Sequence, residues 1–253
     1  METAPTPWLG ALRASHDRLE GIVRPLDADA IRGGSYCSEW TIAQVLSHLG
    51  SGAVLFGLIL DAAIEGREQP ARESFAEVWD TWNAYSPDEQ VERGLEVDGA
   101  FVARFEGLDD DQLARLSIPM MGMQLDAAGL LRLRLGEHAV HTWDVAVVLD
   151  PAATIGDEAV GLVMDGLGMV VSRAGKPEDP ARRLRVRTTN PSRDLLLNTG
   201  EPVKLGAWED GAADGEISLA AEALIRLAYG RLSELPSGTD VSLDELRRVF
   251  PGL

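Results

Sequence analysis

The chain contains four histidines, His16, His48, His138 and His141, and a single cysteine, Cys37. Two of the histidines fall in the run Gly136-Glu137-His138-Ala139-Val140-His141-Thr142-Trp143-Asp144. On a helix, Glu137 and His141 lie one turn apart on the same face and can share a cation. Asp144, three residues further on, falls close to that face, whereas His138 is turned about 100° from Glu137 and points elsewhere. Two protein ligands leave a divalent ion undersatisfied. The obvious third is His48, within Val45-Leu46-Ser47-His48-Leu49-Gly50, where Gly52, Leu55 and Ile59 share its side of an apolar helix. A His/Glu/His set keeps a fourth position open for water or substrate, as catalytic zinc sites do. Spacing alone also fits a core histidine bonded to a neighbour and a surface i,i+4 contact.

The elements that must carry these residues are predominantly helical in the first part of the chain. Trp8, Leu12, Leu19, Ile22 and Val23 recur at helical spacing, and Gly33-Gly34-Ser35 then breaks the pattern. Thr41 and Gln44 form a capping-box pair that opens a second helix, apolar on nearly every side, as a central bundle helix is. Residues Arg72–Ala84 predict a further helix, and Ser86-Pro87-Asp88 starts another running towards Phe105. A loop around Ile118-Pro119 then leads to Asp126, an N-cap for a long helix ending near Asp150-Pro151. Four long helices with modest connections predict an antiparallel bundle.

After Pro151 the texture changes. A helix over Asp157–Ser172 and a Gly/Pro-containing linker at Gly175–Pro180 precede Leu184, Val186 and Thr188, which alternate with Arg185, Arg187 and Thr189 as in a strand. Further strands are expected at Asp194–Asn198, Pro202–Ala207 and Glu216–Leu219, with a turn at Asp214-Gly215. Helices are expected over Ala220–Leu232 and after the Ser242/Glu245 capping box. The sequence thus predicts an all-α domain over residues 1–152 and a small α+β domain over residues 153–253.

With 23 Lys+Arg against 41 Asp+Glu, the formal charge is −18. That balance argues against duplex nucleic acid and anionic membrane partners, which need a concentrated basic surface. One cysteine permits neither an internal disulfide nor a thiolate cage, as expected in a reducing cytoplasm. No signal-peptide pattern opens the sequence. The most apolar stretch, Gly50–Ile64, is shorter than a bilayer span. The expectation is a cytoplasmic protein acting as a monomer or weak homodimer.

The segment Trp40-Thr41-Ile42-Ala43-Gln44-Val45-Leu46-Ser47-His48-Leu49 resembles the Trp-[Ser/Thr]-x-x-x-Leu-x-His-Leu signature of DinB-like metal-binding bundles. More narrowly, the chain resembles the mycothiol-dependent maleylpyruvate isomerase family, whose second motif, Glu-x-x-x-His followed by Trp/Val-Asp, is met by Glu137, His141, Trp143 and Asp144. That family carries a C-terminal α+β domain similar to sterol carriers, which the strand-rich segment ending at Gly230-Arg231 resembles.

The resemblance implies a DinB-like four-helix bundle holding zinc, or another divalent metal, through His48, Glu137 and His141. It implies mycothiol at the open position and a small-molecule electrophile as substrate. In such a reaction the thiolate adds to a cis double bond, the resulting single bond rotates, and elimination returns the trans alkene. Thiol S-transfer shares the first step. Asp144 is expected to orient His141 or to face solvent. Arg231 is the candidate for meeting an anionic substrate, with Arg226 behind it, against the plainer reading of a surface arginine balancing acidic neighbours. Two alternative functions remain: a metal-dependent hydrolase on the same bundle, and a non-catalytic lipid or small-molecule binder. Cys37 is read as an inert small residue, Met120, Met121 and Met123 as core filling, and Trp79, Trp82 and Trp143 as packing anchors. Asp109-Asp110-Asp111 is read as a solvated helix start.

Overall fold

The computed structural model describes residues 5–120, 122–236 and 239–252. The chain divides into two compact units, the first ending at Ala159 and the second starting at Val160. The first unit contains α1 (Thr6–Val23), α2 (Ala28–Ile31), α3 (Ile42–Glu65), α4 (Ser74–Asn83), α5 (Pro87–Glu106), α6 (Asp110–Arg115), the hairpin β1 (Ile118–Met120) and β2 (Met123–Leu125), and α7 (Ala127–Leu149). Helices α1, α3, α5 and α7 form a four-helix bundle, with α3 on α5, α1 on α7, and α1–α5 and α3–α7 contacts closing the square. Its core joins Leu19 and Val23 of α1, Val45, Leu46 and Leu49 of α3, Leu95 of α5 and Val145 of α7.

Local signals set where these helices begin, and hence which way their side chains point. Thr41 Oγ1 accepts the Gln44 N–H at 3.2 Å while Gln44 Oε1 accepts the Thr41 N–H at 2.9 Å, so the capping box fixes the first turn of α3. Ser86 and Glu89 repeat the device at α5, and the Asp126 carboxylate accepts the Gly129 N–H at 2.7 Å at the start of α7. Helix α3 ends at Gly66, whose φ of 65° lies in the left-handed region. Where α3 meets α5, a Cβ on Gly94 would stand 2.7 Å from the Leu46 carbonyl oxygen, so only glycine permits that approach. The 24 residues of α3 are long and apolar enough to cross a membrane, longer than the apolar stretch marked out in the sequence. Its most apolar window is 61% buried inside the protein.

Helix α8 (Asp157–Ala174) spans the division between the units. The second unit adds β3 (Arg183–Thr189), β4 (Arg193–Asn198), β5 (Lys204–Ala207), β6 (Gly215–Ala220), α9 (Ala221–Ala228) and α10 (Leu243–Val249). The sheet order is β5-β4-β3-β6, with β3 antiparallel to β4 and parallel to β6. Alternation along β3 buries Leu184, Val186 and Thr188, while Arg185 and Arg187 pair with Asp194 and Glu216.

Several expectations change in detail. The loop expected at Ile118-Pro119 is a hairpin in which Met120 pairs with Met123, turning through Gly122 at φ 77°. Met121, grouped with these methionines in the sequence, lies outside the described residues. Helix α9 stops at Ala228 rather than Leu232, because Gly230 takes φ 72° and a Cβ there would strike the backbone of Gly252. Trp82 and Trp143 are buried anchors, but Trp79 is 46% exposed and anchors nothing in the core. The Asp109 run is a helix start as expected, with the Asp109 carboxylate capping α6.

Candidate metal centre

Helices α3 and α7 bring His48, Glu137 and His141 together. His48 Nε2 lies 3.5 Å from Glu137 Oε2, and His141 Nε2 lies 3.9 Å from the same oxygen. The two imidazole rings meet edge to face at 4.6 Å between centroids. A tetrahedral zinc ion with bonds of about 2.0–2.1 Å needs its ligand atoms about 3.3 Å apart. The two spacings to Glu137 exceed that by about 0.2 and 0.6 Å, and all three ligand atoms lie within 4.8 Å of one another, so a divalent ion would draw them together. The residues lie on the accessible edge of the bundle: the side chains of His48 and Glu137 are 36% and 41% exposed, that of His141 only 10%.

Asp144 sits behind this group. Its Oδ2 is 2.8 Å from His141 Nδ1, and its side chain is wholly buried, so the solvent-facing alternative is ruled out. A carboxylate only accepts, so His141 presents Nδ1–H to Asp144 and leaves the Nε2 lone pair directed towards Glu137 and His48. Burial pushes the His141 pKa below its ordinary value, the neighbouring His48 acts in the same sense, and the Asp144 hydrogen bond opposes them. The lowered pKa and the Asp144 hydrogen bond both favour the imidazole that keeps Nε2 as an acceptor. Burial opposes ionisation of Glu137, but the His48 contact and the fields of His141, His48 and Arg134 outweigh it and hold the carboxyl below its usual range.

The loop between α2 and α3 locks onto the same aspartate. Cys37 Sγ donates to Asp144 Oδ2 at 3.1 Å, and the Tyr36 N–H donates to the Asp144 carbonyl at 3.0 Å. Cys37 thus has a specific partner beside the centre, which no local sequence signal marks. The loop ends in Trp40, whose ring packs 5.0 Å from the His48 ring and 5.8 Å from the His141 ring. Replacing Asp144 with asparagine is expected to weaken metal binding about 10–100-fold, because the amide no longer fixes the tautomer of His141. Competition with a chromophoric chelator measures this, and an unchanged affinity would show that Asp144 does not orient the ligand.

A second cluster lies deeper in the bundle. Asp98 of α5 is 1% exposed, and its Oδ2 takes His16 Nδ1 of α1 at 2.6 Å and His138 Nε2 of α7 at 2.9 Å. Its Oδ1 accepts from Arg134, which also donates to the Leu49 carbonyl at 2.8 Å. His138 Nδ1 lies 2.8 Å from Ser15 Oγ and 3.2 Å from Thr142 Oγ1. These are hydrogen-bond lengths, too short for ligands arranged around a metal, and Arg134 already supplies the positive charge. Burial opposes the charge on Asp98, but His138 and Arg134 hold its pKa well below the usual carboxylate range. His138 points away from Glu137, as its position on the helix predicts. The importance of Asp98 and Arg134 was not evident in the sequence. The signal available was a charged residue on the buried face of each helix.

Arg231 belongs to the second unit. It is 8% exposed, so it is not a surface arginine, and it donates to the Tyr229 carbonyl at 2.8 Å just beyond Gly230. Arg226 pairs with Glu222 through bonds of 2.7 and 2.8 Å.

A four-helix bundle with a histidine and carboxylate donor set at one edge defines the class to which the first unit belongs. Residues 12–146, more than half of the chain, match the model of the mycothiol maleylpyruvate isomerase N-terminal domain, and the chain belongs to that family. The fold is also that of two crystal structures, a mycothiol-dependent maleylpyruvate isomerase and a histidine-to-alanine mutant of it. Each is 16% identical, with a TM-score of 0.71 over 95% of both chains. No curated protein matches the sequence.

Proposed function

We propose that this protein is a cytoplasmic, divalent-metal-dependent enzyme, with zinc as the favoured ion, that uses mycothiol as thiol cosubstrate. It would act on a small electrophile, by cis–trans isomerisation of the maleylpyruvate type or by thiol S-transfer. The observation that carries the reading is the convergence of His48 Nε2, His141 Nε2 and Glu137 Oε2 at spacings suited to one ion. Family membership supports the thiol and the small-molecule substrate. When bound, the metal supplies the Lewis acidity that keeps a thiol ionised at neutral pH.

The chain's own residues prepare that step. Two neutral imidazoles and one carboxylate carry a single negative charge, so a divalent ion keeps one unit of positive charge for an anionic sulfur. Asp144 holds His141 in the tautomer that offers Nε2. Trp40 packs against both imidazoles and removes water from one side of them. The strongly acidic chain needs a local cation for an anionic electrophile, and the family resemblance offers Arg231 for that role. Arg231→Gln is then expected to raise KM for an anionic substrate about tenfold, the value of one charge-assisted hydrogen bond. A KM unchanged in this variant would remove Arg231 from the site.

The decisive experiment measures metal content and mycothiol-dependent turnover of maleylpyruvate on purified protein. About one divalent ion per chain and turnover only with mycothiol are expected. Ester or amide hydrolysis without thiol would favour the hydrolase, and metal-free protein that binds lipid would favour the carrier. Turnover of other electrophiles with mycothiol, but not of maleylpyruvate, would select S-transfer.

A further inference from the structure

We infer that Asp98 and Arg134 form a buried clamp that positions the metal ligands, by fixing the rotation of α7 and its distance from α3. The inference rests on the metal-site reading above and assigns a role to the second, inner cluster of the bundle. Asp98 is bonded from α1 through His16 and from α7 through both His138 and Arg134. Arg134 extends the connection to α3 through the Leu49 carbonyl, the residue next to His48. Asp98 and Arg134 together therefore tie all four bundle helices.

The clamp brackets the ligands in sequence as well. Arg134 lies one turn before Glu137, and His138 directly follows it. Thr142, the residue after His141, reaches back to His138 Nδ1 at 3.2 Å. Arg134 and His138 share a face of α7 adjacent to that of Glu137 and His141, so rotating α7 to move either ligand away from His48 would break the bonds to Asp98. Two glycines give the clamp its space: a Cβ on Gly52 would lie 2.9 Å from Arg134 Nη1, and one on Gly99 would lie 3.1 Å from His16 Nε2.

The two clusters use their imidazoles differently. Both ring nitrogens of His138 are engaged, Nε2 with Asp98 and Nδ1 with the Ser15 and Thr142 hydroxyls, so neither is open to a cation. His141 donates through Nδ1 to Asp144 and keeps Nε2 free. A core that needed only stability could use apolar side chains here, since replacing a buried ion pair by well-packed apolar groups is often neutral or favourable.

The test compares wild type, Asp98→Asn and Arg134→Lys for Zn2+ affinity and for the visible spectrum of the Co2+-loaded protein. Asparagine cannot accept from three donors, and lysine keeps the charge but is one atom shorter, so its ammonium stops short of the Nη2 position from which Arg134 serves both Asp98 and the Leu49 carbonyl. Both variants are expected to bind Zn2+ about tenfold more weakly and to show an altered Co2+ spectrum. A purely structural role predicts a lower Tm with affinity and spectrum unchanged, and that result would overturn the clamp. If Asp98→Asn does not fold, Arg134→Lys decides; if neither folds, the cluster serves folding as a whole and the clamp is rejected. Wild-type protein that binds no metal overturns the metal-site reading and the clamp with it.

Discussion

His141→Ala is expected to leave the protein folded, to reduce its divalent metal from about one ion per chain to near zero, and to lower mycothiol-dependent turnover at least about 1,000-fold. The size follows from the geometry. In the proposed site His141 contributes one of three ligand atoms, and the two that remain, on His48 and Glu137, are both partly exposed side chains. A site reduced to two ligands competes poorly with water for the ion, and several kcal/mol of charge stabilisation are lost with it. The truncation removes an imidazole that is nine-tenths buried at the bundle edge, so a modest loss of stability accompanies the loss of metal. Elemental analysis and turnover assays on the same preparation provide the check. Full metal occupancy in this variant would place the ion elsewhere.

Arg134→Met is expected to cost about 3–5 kcal/mol of stability, because it leaves the Asp98 carboxylate buried without its cation. The effect depends on pH in a defined sense. The pKa of Asp98 is lowered in the folded protein, so the stabilisation from its ionised form is complete above the unfolded value, about 3.9, and is lost as the pH falls towards the folded value. Denaturant unfolding of wild type and variant should therefore differ most near neutrality and converge in acid. Equal stabilities at pH 7 would show that the pair contributes nothing net.

The candidate centre was more legible in the sequence than its support. A four-residue spacing on a helix is a local geometric fact, so Glu137 and His141 could be paired without a fold, and the apolar helix carrying His48 made an interior-facing ligand reasonable. The capping boxes at Thr41 and Ser242 were legible for the same reason, since each is complete within four residues. Asp98 is different. Its partners His16, His138 and Arg134 lie 82, 40 and 36 positions away, and nothing near Asp98 in the sequence points to them. The bond from Cys37 to Asp144 crosses 107 positions and was equally hidden. In the second unit, periodicity marked the strands but not their order, because the parallel pairing of β3 with β6 depends on a crossover that alternation does not encode. The β1–β2 hairpin was missed because each strand is only three residues long, too short for a pattern to register.

The packing of α1 against α7 also constrains how the chain is made. Ser15 and His138, which meet in the finished bundle, are separated by 123 positions. At synthesis rates of roughly 5–20 residues per second, α1 waits on the order of ten seconds for its partner to emerge. During that interval Trp8, Leu12, Leu19 and Val23, all buried in the native state, have no completed surface to cover them. A nascent chain stalled before α7 is thus expected to be a chaperone client, and a full-length chain is not. Since Glu137 and His141 lie on that last bundle helix, the proposed metal site has all its ligands only once α7 has been made.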